Sequence, residues 1–260
     1  MKISSIRSWN ELNERLYEGS WQEPLGRFRA NFACRGGGIV AGNLRTTLSC
    51  IDPDARTEAH LLRNFRKYAH RNSAGEDSLW NWLSLAQHHG LPTRLLDWTF
   101  SPYVALHFAT DNTDDFEQDG VIWRVDYTKA HALLPARLRK ILDEEEADVF
   151  TTEMLARAAG SLKEFDILAK KPFVLFFEPP SLDDRIVNQF AMFCLMSNPR
   201  AQLEDWLDDH ADLCSQIIIP AELKWELRDK LDQANVTERV LFPGLDGLSR
   251  WLKRYYTPRK

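Results

Sequence analysis

A chain of 260 residues lies just beyond the usual size of one domain, so length admits one large domain or two small ones. Apolar residues at 44% and charged residues at 27% exclude intrinsic disorder, collagen and a disulfide scaffold, and a chain this long buries a core without disulfide or metal staples. The net charge of −5 argues against binding nucleic acid through overall charge and leaves only local basic patches for that role.

Nine tryptophans and fourteen phenylalanines predict a tightly packed core or a ring-walled site for a flat ligand. Cys34, Cys50, Cys194 and Cys214 show no C-x-x-C spacing and read as reduced, buried thiols of a cytoplasmic protein. No apolar stretch of signal-peptide length follows Lys2, and the apolar runs at 173–177 and 217–219 are too short to cross a bilayer. A soluble protein without membrane partners is expected.

Along the chain no repeat or low-complexity linker interrupts the pattern, so a single α+β domain is expected, a mixed sheet with inserted helices. It is preceded by an N-terminal helical extension over 1–26. Ser8-Trp9-Asn10-Glu11 has the form of a capping box, and its helix should end before Gly19. Residues 27–35 alternate, with Phe28, Ala30, Phe32 and Cys34 on one face and Arg27, Arg29, Asn31 and Arg35 on the other. This predicts a half-buried strand with an arginine-rich face, ended by Gly36-Gly37-Gly38. Asp54 is placed to cap a helix running to about Arg71, and a second helix through Leu79, Trp82 and Ala86 should stop near Gly90. Residues 93–100 read as extended, and Ser101-Pro102 marks a helix start. Strands are expected at 121–125, 173–177, 190–196 and 216–219, with one or two helices over 133–159 and others over 221–234 and 248–256. A basic tail over 253–260 closes the chain.

Polar chemistry concentrates in Gln87-His88-His89-Gly90-Leu91-Pro92-Thr93-Arg94-Leu95-Leu96-Asp97-Trp98. If Ser101 caps the next helix, Thr99 and Ser101 stand beside free backbone N–H groups that receive phosphate or a carboxamide. His88 and His89 are adjacent, so on a helix they diverge by roughly 100° and cannot easily share one ion. No metal site is expected. Neither a G-x-S-x-G elbow, a Walker A loop nor a dinucleotide fingerprint is present. Arg185 and Gln189 precede the strand at 190–196, where side chains can project into a cleft. Against these readings, Arg94 and Asp97 could form a structural ion pair and the histidines could simply close a helix. Basic residues gather at Arg27, Arg29 and Arg35, and at Arg250, Lys253, Arg254, Arg259 and Lys260 in the tail.

Phe32-Ala33-Cys34-Arg35-Gly36 resembles the (F/Y)RG signature of the FRG domain family, with cysteine next to the arginine. The run from Leu85 to Thr99, continued by Ser101-Pro102 and Ala105-Leu106-His107-Phe108-Ala109, resembles that family's central motif almost letter for letter. Arg185, Gln189 and Phe193 match its later pattern, and Leu241-Phe242-Pro243-Gly244-Leu245-Asp246-Gly247-Leu248 matches its ending, so an FRG domain is expected over 27–252. The motif order also resembles that of ADP-ribosyltransferases, which implies a split sheet and NAD as co-substrate. On that resemblance Arg35, Gly36, His88, Arg94, Trp98, Thr99 and Ser101 would bind NAD. Arg35 would clamp the pyrophosphate, Thr99 and Ser101 would hold the ribose, and Trp98 or Phe108 would stack on nicotinamide. Gln189, Asp97, Arg185 and His89 would be the catalytic group. Gln189 departs from the usual catalytic glutamate and cannot act as a carboxylate base, so Asp97, a histidine or the substrate would supply one.

The implied function is a toxin or phage-defence effector that modifies a macromolecule, RNA or DNA slightly preferred over protein, with an antitoxin protein as an expected partner. Two alternatives stand beside it. One is an NAD-independent ribonuclease using His88 or His89 as general base and Arg94 to steady phosphate. The other is a non-enzymatic interaction module.

Overall fold

In the computed structural model, which describes residues 1–29, 31–41, 44–69 and 76–258, the apolar segments pair as strands β1 (Lys2–Ser5), β2 (Trp21–Gln22), β3 (Arg27–Phe28), β4 (Phe32–Gly37), β5 (Leu96–Thr99), β6 (Gly120–Asp126), β7 (Val174–Phe177), β8 (Ala191–Met196) and β9 (Cys214–Ile219). Seven of them form one mixed sheet in the order β1-β9-β6-β4-β5-β8-β7, while β2 and β3 make a separate hairpin. β1 runs parallel to β9, and the other registered neighbours in this sheet are antiparallel. All residues of β6 and β7 are buried, the pattern of strands covered on both faces.

The sheet is joined unevenly. β4 pairs with β6 through six registered positions, from Phe32 opposite Asp126 to Gly37 opposite Val121. Its other neighbour, β5, is registered only at Cys34 opposite Thr99. The sheet therefore consists of two halves, β1-β9-β6-β4 and β5-β8-β7, meeting at one rung.

Helices cover both faces. Leu79–His88, Ala136–Glu144 and Thr152–Ala158 bury Trp80, Leu83, Leu138 and Leu155 against Leu175, Phe177 and Phe193. Trp98, Trp123, Phe176 and Met192 share another cluster with Leu203 and Leu207. The Pro102–Ala109 helix packs on β4 together with Ile122, Ile217 and Leu227. Its approach to β4 is set by Gly36, where a Cβ would lie 1.8 Å from the carbonyl oxygen of Ala105.

Several sequence expectations need correction. The arginine-faced strand is not one element: Arg27 lies in the β2–β3 hairpin, Arg35 lies in the main sheet, and Ala30 falls outside the described residues. The strand ends within the glycine triplet, with β4 running through Gly37. Residues 2–5 are not part of a helical extension but the sheet strand β1, and the Trp9–Tyr17 helix, capped by Ser8, follows them. Asp54 caps no helix. The next ones are Thr47–Ile51, capped by Thr46, and Glu58–Tyr68, and the anticipated end at Arg71 lies outside the described residues. Cys50 is exposed, unlike the other three cysteines. Nor is the tail a free basic end up to residue 255. The Leu245–Tyr255 helix carries Arg254 into a buried contact with Asp232 and Glu238, while Arg259 and Lys260 are outside the described residues.

Two predictions follow from this packing. Gly36→Ala should cost more than about 4 kcal/mol or abolish folding, because backbone rather than a flexible side chain occupies the space. Gly90→Ala, at φ +79° with open space around it, should cost about 1–2 kcal/mol. Urea unfolding of the two variants compares these losses. His131 supplies a pH test: its Nε2 accepts from the Phe176 N–H at 3.0 Å and its Nδ1 lies 2.9 Å from the Asp148 carbonyl. Burial pushes its pKa down from 6.5 to about 4. The unfolded chain therefore binds the proton first, and stability present above pH 6.5 is lost as pH falls towards 4, by on the order of 3 kcal/mol. Comparing denaturant midpoints of the wild type and His131→Gln over that interval should show the smaller slope in the variant.

Candidate functional site

Beyond the Cys34–Thr99 rung the two half-sheets are bridged by a side chain rather than by ladder bonds. Arg35 Nη1 donates to the Asp97 carbonyl oxygen at 2.6 Å. A cavity of about 710 Å3 lies at this junction. Its walls come from residues 34–38 of β4 and its end, residues 97–99 of β5, the turn at 87–91 and residues 185–193, with Phe108 added by the helix above β4.

The histidines owe their place to how their helix ends. Gly90 adopts φ +79°, and the Leu91 and Gly90 N–H groups donate back to Ala86 and Gln87 at 2.9 Å each. This is a Schellman closure, which only a residue tolerant of left-handed backbone makes without strain. It leaves His88 and His89 at the mouth with rings 5.1 Å apart. His88 Nε2 lies 2.6 Å from Asp183 Oδ2, and its side chain is only 8% exposed. Burial lowers the His88 pKa against the pull of Asp183.

Asp97 is held by a relay that the sequence did not reveal. The Leu95 N–H donates to Thr93 Oγ1 at 3.0 Å, so the Thr93 hydroxyl proton is directed at Gln87 Oε1, 2.6 Å away. That fixes the Gln87 amide, whose Nε2 donates to Asp97 Oδ2 at 2.8 Å. Among the described lining residues, Asp97 is the only carboxylate. Burial lowers the pKa of Arg35, and Asp97 opposes that shift.

The opposite wall is braced by the C-terminal part of the chain. Thr99 Oγ1 donates to the Gln189 carbonyl at 2.7 Å and accepts from the Ser101 N–H at 3.0 Å. Gln189 Nε2 donates to the Leu241 carbonyl at 2.9 Å, and Asn188 Nδ2 to that of Val240 at 2.8 Å. Arg185 rests its guanidinium 5.0 Å from the centre of the Phe242 ring. This segment is pinned in turn: Arg254 bonds both Asp232, at 2.6 Å, and Glu238, at 2.8 Å. Burial alone would raise the Glu238 pKa, but the bonds from Arg254 outweigh it and hold the carboxyl at about 2. Gly247 lets the last helix close on the segment, since a Cβ there would meet the Phe242 carbonyl oxygen at 1.9 Å.

The structure thus gathers Arg35, His88, His89, Asp97, Thr99, Arg185 and Gln189 on one cavity. Of the four other sequence candidates, Arg94 and Ser101 lie off the cavity, while Trp98 and Gly36 border it. Arg94 is buried away from the cavity, with Nε 2.8 Å and Nη2 2.6 Å from Glu58 and a further ion pair to Asp166. Ser101 is the N-cap of the Pro102–Ala109 helix and does not line the cavity. Trp98 borders the cavity, but its indole is buried in the core and donates to Cys194 Sγ at 3.0 Å, since adjacent strand residues point to opposite faces and Asp97 takes the cavity side. Gly36 touches the cavity, but its missing side chain makes room for the Ala105 carbonyl. Gln87, Asp183 and Phe242 were not singled out as site residues; they become visible only through contacts between separate segments.

Fold and site together define an α+β protein whose cavity sits where two half-sheets meet. Within it, residues 30–118 match the family model of the FRG domain. That stretch contributes β4, β5, the histidine turn and the helix over Gly36, whereas Arg185 and Gln189 come from chain beyond it. Comparison with curated proteins and with solved structures finds no match. Among the described residues no helix is long and apolar enough to cross a membrane, and no group of three or more His, Cys, Asp or Glu could hold a metal ion.

Arg94 and Asp97 differ in what they contribute to stability. Arg94→Ala leaves Glu58 and Asp166 without their shared cation and should cost about 3–5 kcal/mol. Asp97→Asn, at an exposed position, should change stability by less than about 1 kcal/mol. Thermal and urea unfolding measure both.

Proposed function

We propose that this protein is an ADP-ribosyltransferase-like enzyme that uses NAD to modify a macromolecule, acting as a toxin or phage-defence effector. The observation that carries the reading is the cavity at the sheet junction. Its roughly 710 Å3 falls within the 300–1,000 Å3 typical of ligand sites, and it collects residues of the motif in one place. The link to this chemistry is the order of those motifs along the chain, an analogy between families.

In this reading the chain's own groups position the ribose and stabilise the positive charge that develops as the glycosidic bond breaks. Asp97, oriented by Gln87, supplies the negative charge for that purpose. Gln189 acts as an orienting amide, braced by Leu241. Thr99 and Ser101 already serve the backbone and the helix cap, so the ribose contacts fall to Gln189 and Asp97. RNA or DNA is the favoured acceptor, with Arg27 and Arg29 on the exposed hairpin as its local basic surface. Radiolabelled NAD incubated with lysate tests that choice: label resistant to nuclease and removed by protease would reverse it.

A second reading has one observation in its favour. The His88–Asp183 contact is the arrangement that orients an imidazole as general base, as an NAD-independent ribonuclease requires.

Calorimetry with NAD and an assay of nicotinamide release, run with candidate acceptors present, test the principal reading. The wild type should bind and release, and Asp97→Asn and Gln87→Leu should each lower release by about 100-fold or more while remaining folded. Absence of both binding and release in the wild type would sink it, and RNA cleavage without NAD would favour the second reading.

A further inference from the structure

We propose that Arg185, seated on Phe242, is an anion subsite of the cavity that takes a phosphate group of a nucleotide-like ligand, a role Arg35 does not fill. The proposal deepens the NAD reading and rests on it only for the rest of the ligand. Arg185 lines the cavity, yet it has no ion-pair partner among the described residues. Asp183, two residues before it in the chain, is engaged by His88 at 2.6 Å. Arg185 Nη1 makes only a 3.5 Å contact with the His88 carbonyl, and its buried Nε has no hydrogen-bond partner.

This cation is nevertheless held in place. The Phe242 ring beneath it packs edge-on against Phe108 at 6.2 Å and in a tilted contact against His107 at 6.3 Å. A second guanidinium, that of Arg250, lies 4.1 Å from the centre of the same ring. Two like charges share one aromatic platform on a protein of net charge −5. Buried donors left unsatisfied and a cation left unpaired are both unfavourable, and an anion in the cavity relieves both. The planar fork of arginine suits two oxygens of one phosphate. Arg35, in contrast, already spends Nη1 on the Asp97 carbonyl that bridges the half-sheets.

The test is titration calorimetry with inorganic pyrophosphate, ADP-ribose and NAD on the wild type, Arg185→Gln and Arg185→Lys, each checked for folding by its thermal transition. The wild type should bind pyrophosphate and ADP-ribose, more weakly as salt rises. Arg185→Gln should weaken both about tenfold or more, and Arg185→Lys should restore only part of the loss. ADP-ribose or pyrophosphate binding that depends on Arg185, without NAD binding, keeps the subsite and removes the NAD reading. Binding of NAD and ADP-ribose unchanged in folded Arg185→Gln overturns the subsite and leaves that reading standing. No pyrophosphate or ADP-ribose binding by the wild type overturns the subsite as well.

Discussion

The carbonyl oxygen of Ala105 sits where any residue but glycine at position 36 would place its first side-chain atom. That contact brings the Pro102–Ala109 helix down onto β4 beside the point where β4 and β5 make their single rung. The helix in turn contributes Phe108 to the cavity and supports the ring of Phe242. Widening the contact by one methyl group would displace the helix, the cavity roof and the platform for Arg185 together, since closely packed interiors transmit such strain.

The arginines of this chain differ in how far their partners are fixed by the fold. Arg94, Arg228 and Arg254 are buried in carboxylate or carbonyl contacts that tie separate segments together. Arg124 does similar work by donating to the Arg15 and Glu18 carbonyls at the end of the first helix. Once desolvated, such charges are costly to leave alone, so their partners are fixed by the fold. Arg35 is intermediate, facing the cavity while closing the gap between the half-sheets. The chemistry of the site therefore rests on cations whose surroundings differ far more than their side chains do.

Local signals in the sequence were read well because they depend on neighbours in the chain. Ser8 and Ser101 cap their helices, the Leu79–His88 helix stops before Gly90, and β6 contains the strand expected at 121–125. The density of polar residues between Gln87 and Thr99 likewise pointed to the cavity. What escaped was relational. Whether the Asp97 or the Trp98 side chain faced the cavity turned on pairing with β8, where Asp97 stands opposite Phe193 and Trp98 opposite Met192. The role of Gln87 required Thr93 and Leu95 to fold back on it. Arg94 looked like a ligand group because Glu58 and Asp166 lie 36 residues before it and 72 after it. The bracing of Gln189 by Leu241 spans 52 residues and leaves no mark on local composition.

The pairing of β1 with β9 sets a constraint on the order in which the chain can be assembled. Lys2–Ser5 are made long before β9, yet they find their neighbours only when residues 215–218 have appeared. Until then β6 also lacks its partner on that side, since Gly120 to Val125 pair with the same strand. During synthesis the half-sheet that carries β4 thus presents an unpaired β6 edge until β9 has emerged, a state open to association with other strands. The late arrival of β9 makes completion of this half-sheet a late, long-range step, the kind of contact that slows folding. The cavity between the half-sheets therefore depends on a half-sheet that is completed only when β9, far along the chain, joins β6.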